Sequence, residues 1–228
     1  TFYVNAGGNG IFANQNGKLS LTNSSFYVKG SGNGVIAFSK ATPINITGGT
    51  WEANDNSNGL YLTAGTTAAA ITGGHYTANG NGIGILVGDD TGTTGAATIS
   101  NMDGTSFTVN TDSSSDGHGT GIFLRNGKIT AKNINIASDA NGNEILTTVN
   151  TNYANEFEID KTSSIKGTGN NNVAFNLQNG STADNTHVKI ISKSGSAGPD
   201  ITFADPSSAA TDYNNNTVYK VNKFINQL

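Results

Sequence analysis

The chain repeats itself, and this limits its fold more than anything else in it. "NGIFANQNGKLSLTNSSFYV" (Asn9–Val28) is followed by "NGVIAFSKATPINITGGTWEA" (Asn33–Ala53) and "NGLYLTAGTTAAAITGGHYTA" (Asn58–Ala78). Two anchors recur. The first is Asn or Gly followed by an apolar cluster: Gly10-Ile11-Phe12, Gly34-Val35-Ile36, Gly59-Leu60-Tyr61, Gly84-Ile85-Leu86 and Gly121-Ile122-Phe123. Weaker echoes follow at Glu144-Ile145-Leu146, Asn172-Val173-Ala174 and Asp200-Ile201-Thr202. The second is a short alternating run: Leu19–Thr22, Ile44–Thr47, Ala69–Thr72, Ala97–Ser100 and Lys128–Ala131. An aromatic follows four of these runs, at Phe26, Trp51, Tyr76 and Phe107. A repeat of roughly 25 residues means that one small unit stacks on copies of itself.

The unit is neither helical nor leucine-rich. Glycines interrupt every candidate helix, the apolar alternation is two-fold, and no leucine ladder is present. The glycine-rich calcium nonapeptide fails because its Asp is missing. The 30 glycines lack a three-residue period, which excludes collagen. What survives is a coil of two or three short strands with Gly/Asn corners, a right-handed parallel β-helix. Leu19 and Leu21, like Ile44 and Ile46, then face inward, while Ser20 and Asn45 face out. Gly10 and the Asn16-Gly17 pair read as corners, where left-handed backbone is required. About eight coils are expected in one domain over residues 1–228, with residues 205–228 as a terminal coil or cap; the rod would be about 40 Å long. The aromatics at matching positions allow two readings: a stacked ladder in or near the core, or an exposed sugar-binding strip.

The first anchor advances 24, 25 and 25 residues, then 37 between Gly84 and Gly121. The excess falls in residues 88–120, where "GDDTGTTG" (Gly88–Gly95) and "NTDSSSDGHGTG" (Asn110–Gly121) read as projecting loops. They hold Asp89, Asp90, Asp112, Asp116 and His118, the densest acidic patch of the chain and the candidate binding residues. Clustered carboxylates suit a hard cation, and they equally suit a solvated loop, so no metal or other cofactor is expected. His75, at the position of Thr50 and Ser25, and His187 read as surface strand positions. No G-x-S-x-G elbow or phosphate-loop motif is present.

Composition narrows the partners. The net charge is −4, and Arg125 is the single arginine, so nucleic acid and anionic membranes are not expected partners. There is no cysteine, which removes thiol chemistry, thiolate zinc sites and disulfides. No apolar run is long enough to span a bilayer, so direct membrane insertion of this segment is not expected.

"LTNSSFYVKGSGNGVIAF", "ITGGTWEANDNSNGLYL" and "ITGGHYTANGNGIGIL" resemble the passenger domains of bacterial type V autotransporters, the pertactin-like β-helices. The likeness is good over about residues 2–140. It implies a β-helix exported through the outer membrane and secreted or displayed at the bacterial surface. It implies a non-enzymatic role as an adhesin or as ligand of a host-cell receptor, with a host-cell protein or glycan as partner and self-association through strand edges as a further expectation. The alternatives are a polysaccharide-active β-helix enzyme, a lyase or hydrolase in which Arg125 beside the acidic loops would act, or a trimeric phage tailspike segment.

Overall fold

The computed structural model describes residues 1–38, 40–41, 43–89, 95–110, 119–138, 142–148, 155–159, 163–167, 175–178, 188–192, 209–211 and 217–219. The first coil is β1 (Phe2–Val4), β2 (Asn9–Asn14) and β3 (Leu19–Thr22). The second is β4 (Ser25–Val28), β5 (Asn33–Phe38) and β6 (Ile44–Thr47), and the third β7 (Thr50–Ala53), β8 (Asn58–Leu62) and β9 (Thr67–Thr72). The fourth is β10 (His75–Asn79), β11 (Ile83–Val87) and β12 (Ala97–Asp103), and the fifth β13 (Ser106–Asn110), β14 (Thr120–Leu124) and β15 (Gly127–Lys132). The strands β16 (Asn135–Ser138), β17 (Asn143–Thr148), β18 (Asn155–Ile159), β19 (Ser164–Gly167), β20 (Phe175–Gln178) and β21 (Val188–Ser192) continue the order.

Corresponding strands stack into three parallel sheets: sheet A begins with β1, sheet B with β2 and sheet C with β3. The protein is thus an all-β parallel β-helix, with no helix among the described residues. About five turns, to Lys132, form its regular part, and each sheet ends at seven strands. The described residues support this shorter regular part and not the expected count of eight coils. After β21 comes an antiparallel pair, β22 (Ala209–Thr211) with β23 (Thr217–Tyr219), and β23 lies against β20, the last strand of sheet B.

The first anchor sets the register of sheet B as the repeat predicts. Ile11, Val35, Leu60, Ile85, Ile122 and Ile145 stand in one column. The next member is Phe175, not Val173, so the late echo is offset by two residues. Asp200-Ile201-Thr202 lies outside the described residues. Sheet C departs from the sequence alignment in two places. Ile44 pairs with Ala68 rather than Ala69, and Ile71 pairs with Met102 rather than Ile99, through irregularities in β9 and β12. Both shifts keep an apolar side chain inward, since Ala68, Ile99 and Met102 are all buried.

Each coil turns three corners, and left-handed residues recur at the described ones. Between sheets C and A these are Asn23, Gly48, Gly73, Gly104 and Asn133; between B and C they include Asn16, Lys40, Gly65, Gly88 and Asn126. Asn16-Gly17 is therefore a corner, as expected. Gly10 is not, because it lies inside β2. Gly10, Gly34, Gly59, Gly84 and Gly121 form a glycine column in sheet B whose requirement is space. A Cβ at Gly34 would lie 2.5 Å from the Gly59 carbonyl oxygen and 3.2 Å from the Phe26 side chain. The column ends at Glu144, a buried carboxylate whose Oε1 accepts a hydrogen bond from the Ser138 hydroxyl.

Inside sheet A runs the aromatic ladder. Phe26, Trp51, Tyr76 and Phe107 stand in register and are at most 2 % exposed, which excludes a sugar-binding strip at these positions. Phe2 extends the ladder by one ring, and Ile136 continues the column beyond Phe107. Centroid separations run from 4.4 to 5.2 Å with near-parallel planes, which is stacking imposed by the strand spacing. Asparagines do the same for polar groups. Asn58 Nδ2 donates to Asn33 Oδ1 and Asn33 Nδ2 to Asn9 Oδ1, both at 2.8 Å. A second ladder runs from Asn110 through Asn79 to Asn54, each step 3.0 Å.

The Tyr76 hydroxyl meets no hydrogen-bond partner among the described residues. Burial pushes its phenol above the ordinary range. Folding therefore favours the neutral form, and that contribution is intact below about pH 10 and lost as the pH rises beyond it. Tyr76→Phe is expected to raise stability by about 1 kcal/mol, since it removes an unpaired buried hydroxyl. It should also soften the alkaline loss of stability. Urea titrations at neutral and alkaline pH check both effects, and a lower midpoint in the variant at neutral pH would contradict them.

Candidate functional site

The two long links are where the coil departs from its pattern. Sheet B leads to sheet C through residues 15–18, 39–43 and 63–66 in the first three turns, but through residues 88–96 in the fourth. Sheet A leads to sheet B through residues 29–32, 54–57 and 80–82, but through residues 111–119 in the fifth. The two links are thus attached at different corners. The first departs after Val87 and the second returns at Thr120, which pairs with Ile83. Ile83 and Val87 are four residues apart on one strand, roughly 13 Å. The two links that hold the acidic residues are therefore anchored at opposite ends of the paired strands β11 and β14.

Of the predicted binding residues, Asp89 is placed and Asp90, Asp112, Asp116 and His118 lie outside the described residues, as does His187. Asp89 sits at the corner between sheets B and C, where its Oδ2 accepts the backbone N–H of Ala64 at 3.1 Å. The carboxylate thus ties one turn's corner to the next, as Asp55 does for the Gly30 N–H at another corner. Among the described residues no three His, Asp or Glu side chains converge as a metal site would require.

His75 is on the outer face of sheet A, in register with Thr50 and Ser106, as its surface reading requires. Its Nδ1 is 2.8 Å from Ser106 Oγ and its Nε2 is 3.2 Å from Thr108 Oγ1. The Ser106 hydroxyl also lies 3.3 Å from the Gly74 carbonyl oxygen, so ring, hydroxyls and backbone form one network on this face, in which the imidazole tautomer sets which ring nitrogen donates.

Arg125 stands at the sheet B to C corner of the fifth turn, directly below Gly88, and its guanidinium carbon is 5.7 Å from the centre of the Phe123 ring. Phe123 belongs to a column the sequence reading did not single out. Phe12, Ile36, Tyr61, Leu86, Phe123 and Leu146 are the second apolar residues of each cluster, and alternation turns them away from the core. The signal was present, because two adjacent apolar residues in a strand cannot both face inward. At its N-terminal end the column is open. Phe12 is 54 % exposed and stacks against Phe38, itself 43 % exposed, with centroids 6.0 Å apart.

Beside that pair lies a cleft of about 480 Å³ between successive corners, lined by Gln15, Asn16, Phe38, Lys40, Thr63 and Asp89. Lys40 has a φ of 67°, a conformation that lysine rarely adopts, and it forms no ion pair among the described residues.

The fold and this surface define a class: a parallel β-helical rod with a cleft set against the corners between sheets B and C. No family model matches the chain, and neither curated proteins nor solved structures give a match.

Proposed function

We propose that this chain is the rod of an exported bacterial surface protein, a passenger-like right-handed β-helix that acts by binding and not by catalysis. Its part is that of an adhesin or of a ligand for a host-cell receptor, and it meets a host-cell protein or glycan at the bacterial surface or after release. The observation that supports this most is the contrast between sheets and corners. The outer face of sheet A satisfies itself through His75 and the asparagine ladder, whereas the two longest links of the first five turns join strands at the two ends of β11 and β14. A stiff scaffold with lengthened links is suited to presenting recognition loops.

Deleting Asp112–Gly117 shortens the second link without touching a strand. The expected result is at least about a tenfold loss of binding to host cells with unchanged thermal unfolding, as removal of a central contact cluster produces. Unchanged binding would remove that link from the recognition surface.

A further inference from the structure

We propose that the cleft between the sheet B and C corners is a glycan subsite for a carboxylate-bearing sugar, such as a uronic or sialic acid. This rests on the display reading above and names the ligand class for one part of the surface.

The chemistry of the lining fits such a ring. A pyranose has one flat C–H face, which packs on an exposed aromatic, and a rim of hydroxyls, which needs both donors and acceptors. Phe38 supplies the flat face and is held by its stack with Phe12. The side-chain amides of Gln15 and Asn16 both donate and accept. The Thr63 hydroxyl already donates to the Ala37 carbonyl at 3.1 Å, so toward the cleft it is an acceptor. Asp89 is fixed in place by the Ala64 N–H, an arrangement that orders an acceptor before the ligand arrives.

Charge selects the acidic sugar. Lys40 is exposed and without an ion pair among the described residues, on the second turn, while Asp89 is on the fourth. Two turns separate the cation from the carboxylate by roughly 10 Å. A ring whose carboxylate meets Lys40 then directs its hydroxyls along the cleft toward Thr63 and Asp89. The strained backbone of Lys40 adds a second argument. Glycine would be the unstrained residue at a φ of 67°, and lysine there costs about 1 kcal/mol.

The test is saturation-transfer NMR on the whole chain with digalacturonate, sialyllactose and lactose as probes. One or both acidic sugars are expected to bind, with lactose at least about tenfold weaker because it leaves Lys40 unpaired. Phe38→Ala should abolish the transfer. Lys40→Gly should reduce acidic-sugar binding about tenfold while thermal unfolding is unchanged or moves upward, which separates loss of the site from loss of the fold. No transfer from either acidic sugar, equal binding of lactose, or undiminished binding in both variants would overturn the proposal. Host-cell binding by the same proteins separates it from the display reading. Equal cell binding by wild type and both variants would sink the subsite and leave display standing. Acidic-sugar binding by a chain that binds no cell would do the reverse. Cell binding that survives enzymatic removal of surface glycans yet is lost in Phe38→Ala would mean a protein partner and overturn the sugar.

Discussion

Trp51→Ala is expected to lower stability by about 3–5 kcal/mol, among the largest effects of any single core substitution in this chain. Trp51 is 1 % exposed and lies between Phe26, with centroids 4.4 Å apart, and Tyr76, at 5.2 Å. Truncation removes the largest side chain of the ladder and breaks two stacked contacts at once, each worth about 0.5–1.5 kcal/mol beyond its buried area. The rungs above and below are fixed by backbone ladders and cannot close over the gap. At about 2–4 °C per kcal/mol for a domain of this size, the melting temperature should fall by about 10 °C. Trp51→Phe is the informative partner. The indole N–H has no acceptor among the described residues, so phenylalanine loses volume but also removes an unpaired buried donor. These terms oppose each other, and the change should stay within about 1 kcal/mol. Differential scanning calorimetry of both variants decides the matter; equal losses would overturn the stacking account, since phenylalanine keeps a ring in the ladder and alanine does not.

Gly34→Ala adds only a methyl group and is expected to cost about 2–3 kcal/mol. The new Cβ would approach the Gly59 carbonyl oxygen to 2.5 Å and the Phe26 Cβ to 3.2 Å. The oxygen is backbone and cannot rotate away, and Phe26 is pinned between Phe2 and Trp51. The coils must therefore separate locally, which weakens hydrogen bonds on both sides. Gly8→Ala is the control. Its nearest contact would be 3.5 Å, ordinary van der Waals distance, so stability should hold or rise slightly. A urea midpoint for Gly34→Ala no lower than that of Gly8→Ala would refute the spatial account of the glycine column.

The glycine column shows how the sequence is read and misread. The repeat made Gly10 and its equivalents visible at once, but composition could only suggest corners, because glycine at corners and glycine under a crowded ladder look alike. What separates them is distance across coils, and sequence contains no distances. Sheet B, by contrast, was legible column by column from Ile11 to Ile145, since a one-residue slip would expose every core side chain. Sheet C was less so, because the irregularities in β9 and β12 conserve burial while shifting number, and alternation cannot reveal an inserted residue that keeps the inward face apolar. The eight-coil count lacks support for a related reason. Weak anchors late in the chain match a coil and a hairpin equally well, and only pairing shows that β22 and β23 run antiparallel.

Taken alone, the sequence determined that the chain is a stack of short strands, which residues share a core column, and where the period breaks. Those properties follow from periodicity and from the conformational needs of Gly and Asn, both local to the chain. The tertiary structure decided that the aromatics are inside rather than on the surface. It also decided that the two long links leave from different corners, and that Gln15, Asn16, Phe38, Lys40, Thr63 and Asp89 meet in one cleft. Those residues come from four successive turns, and residues some 25 positions apart become neighbours only when the coil closes and stacks.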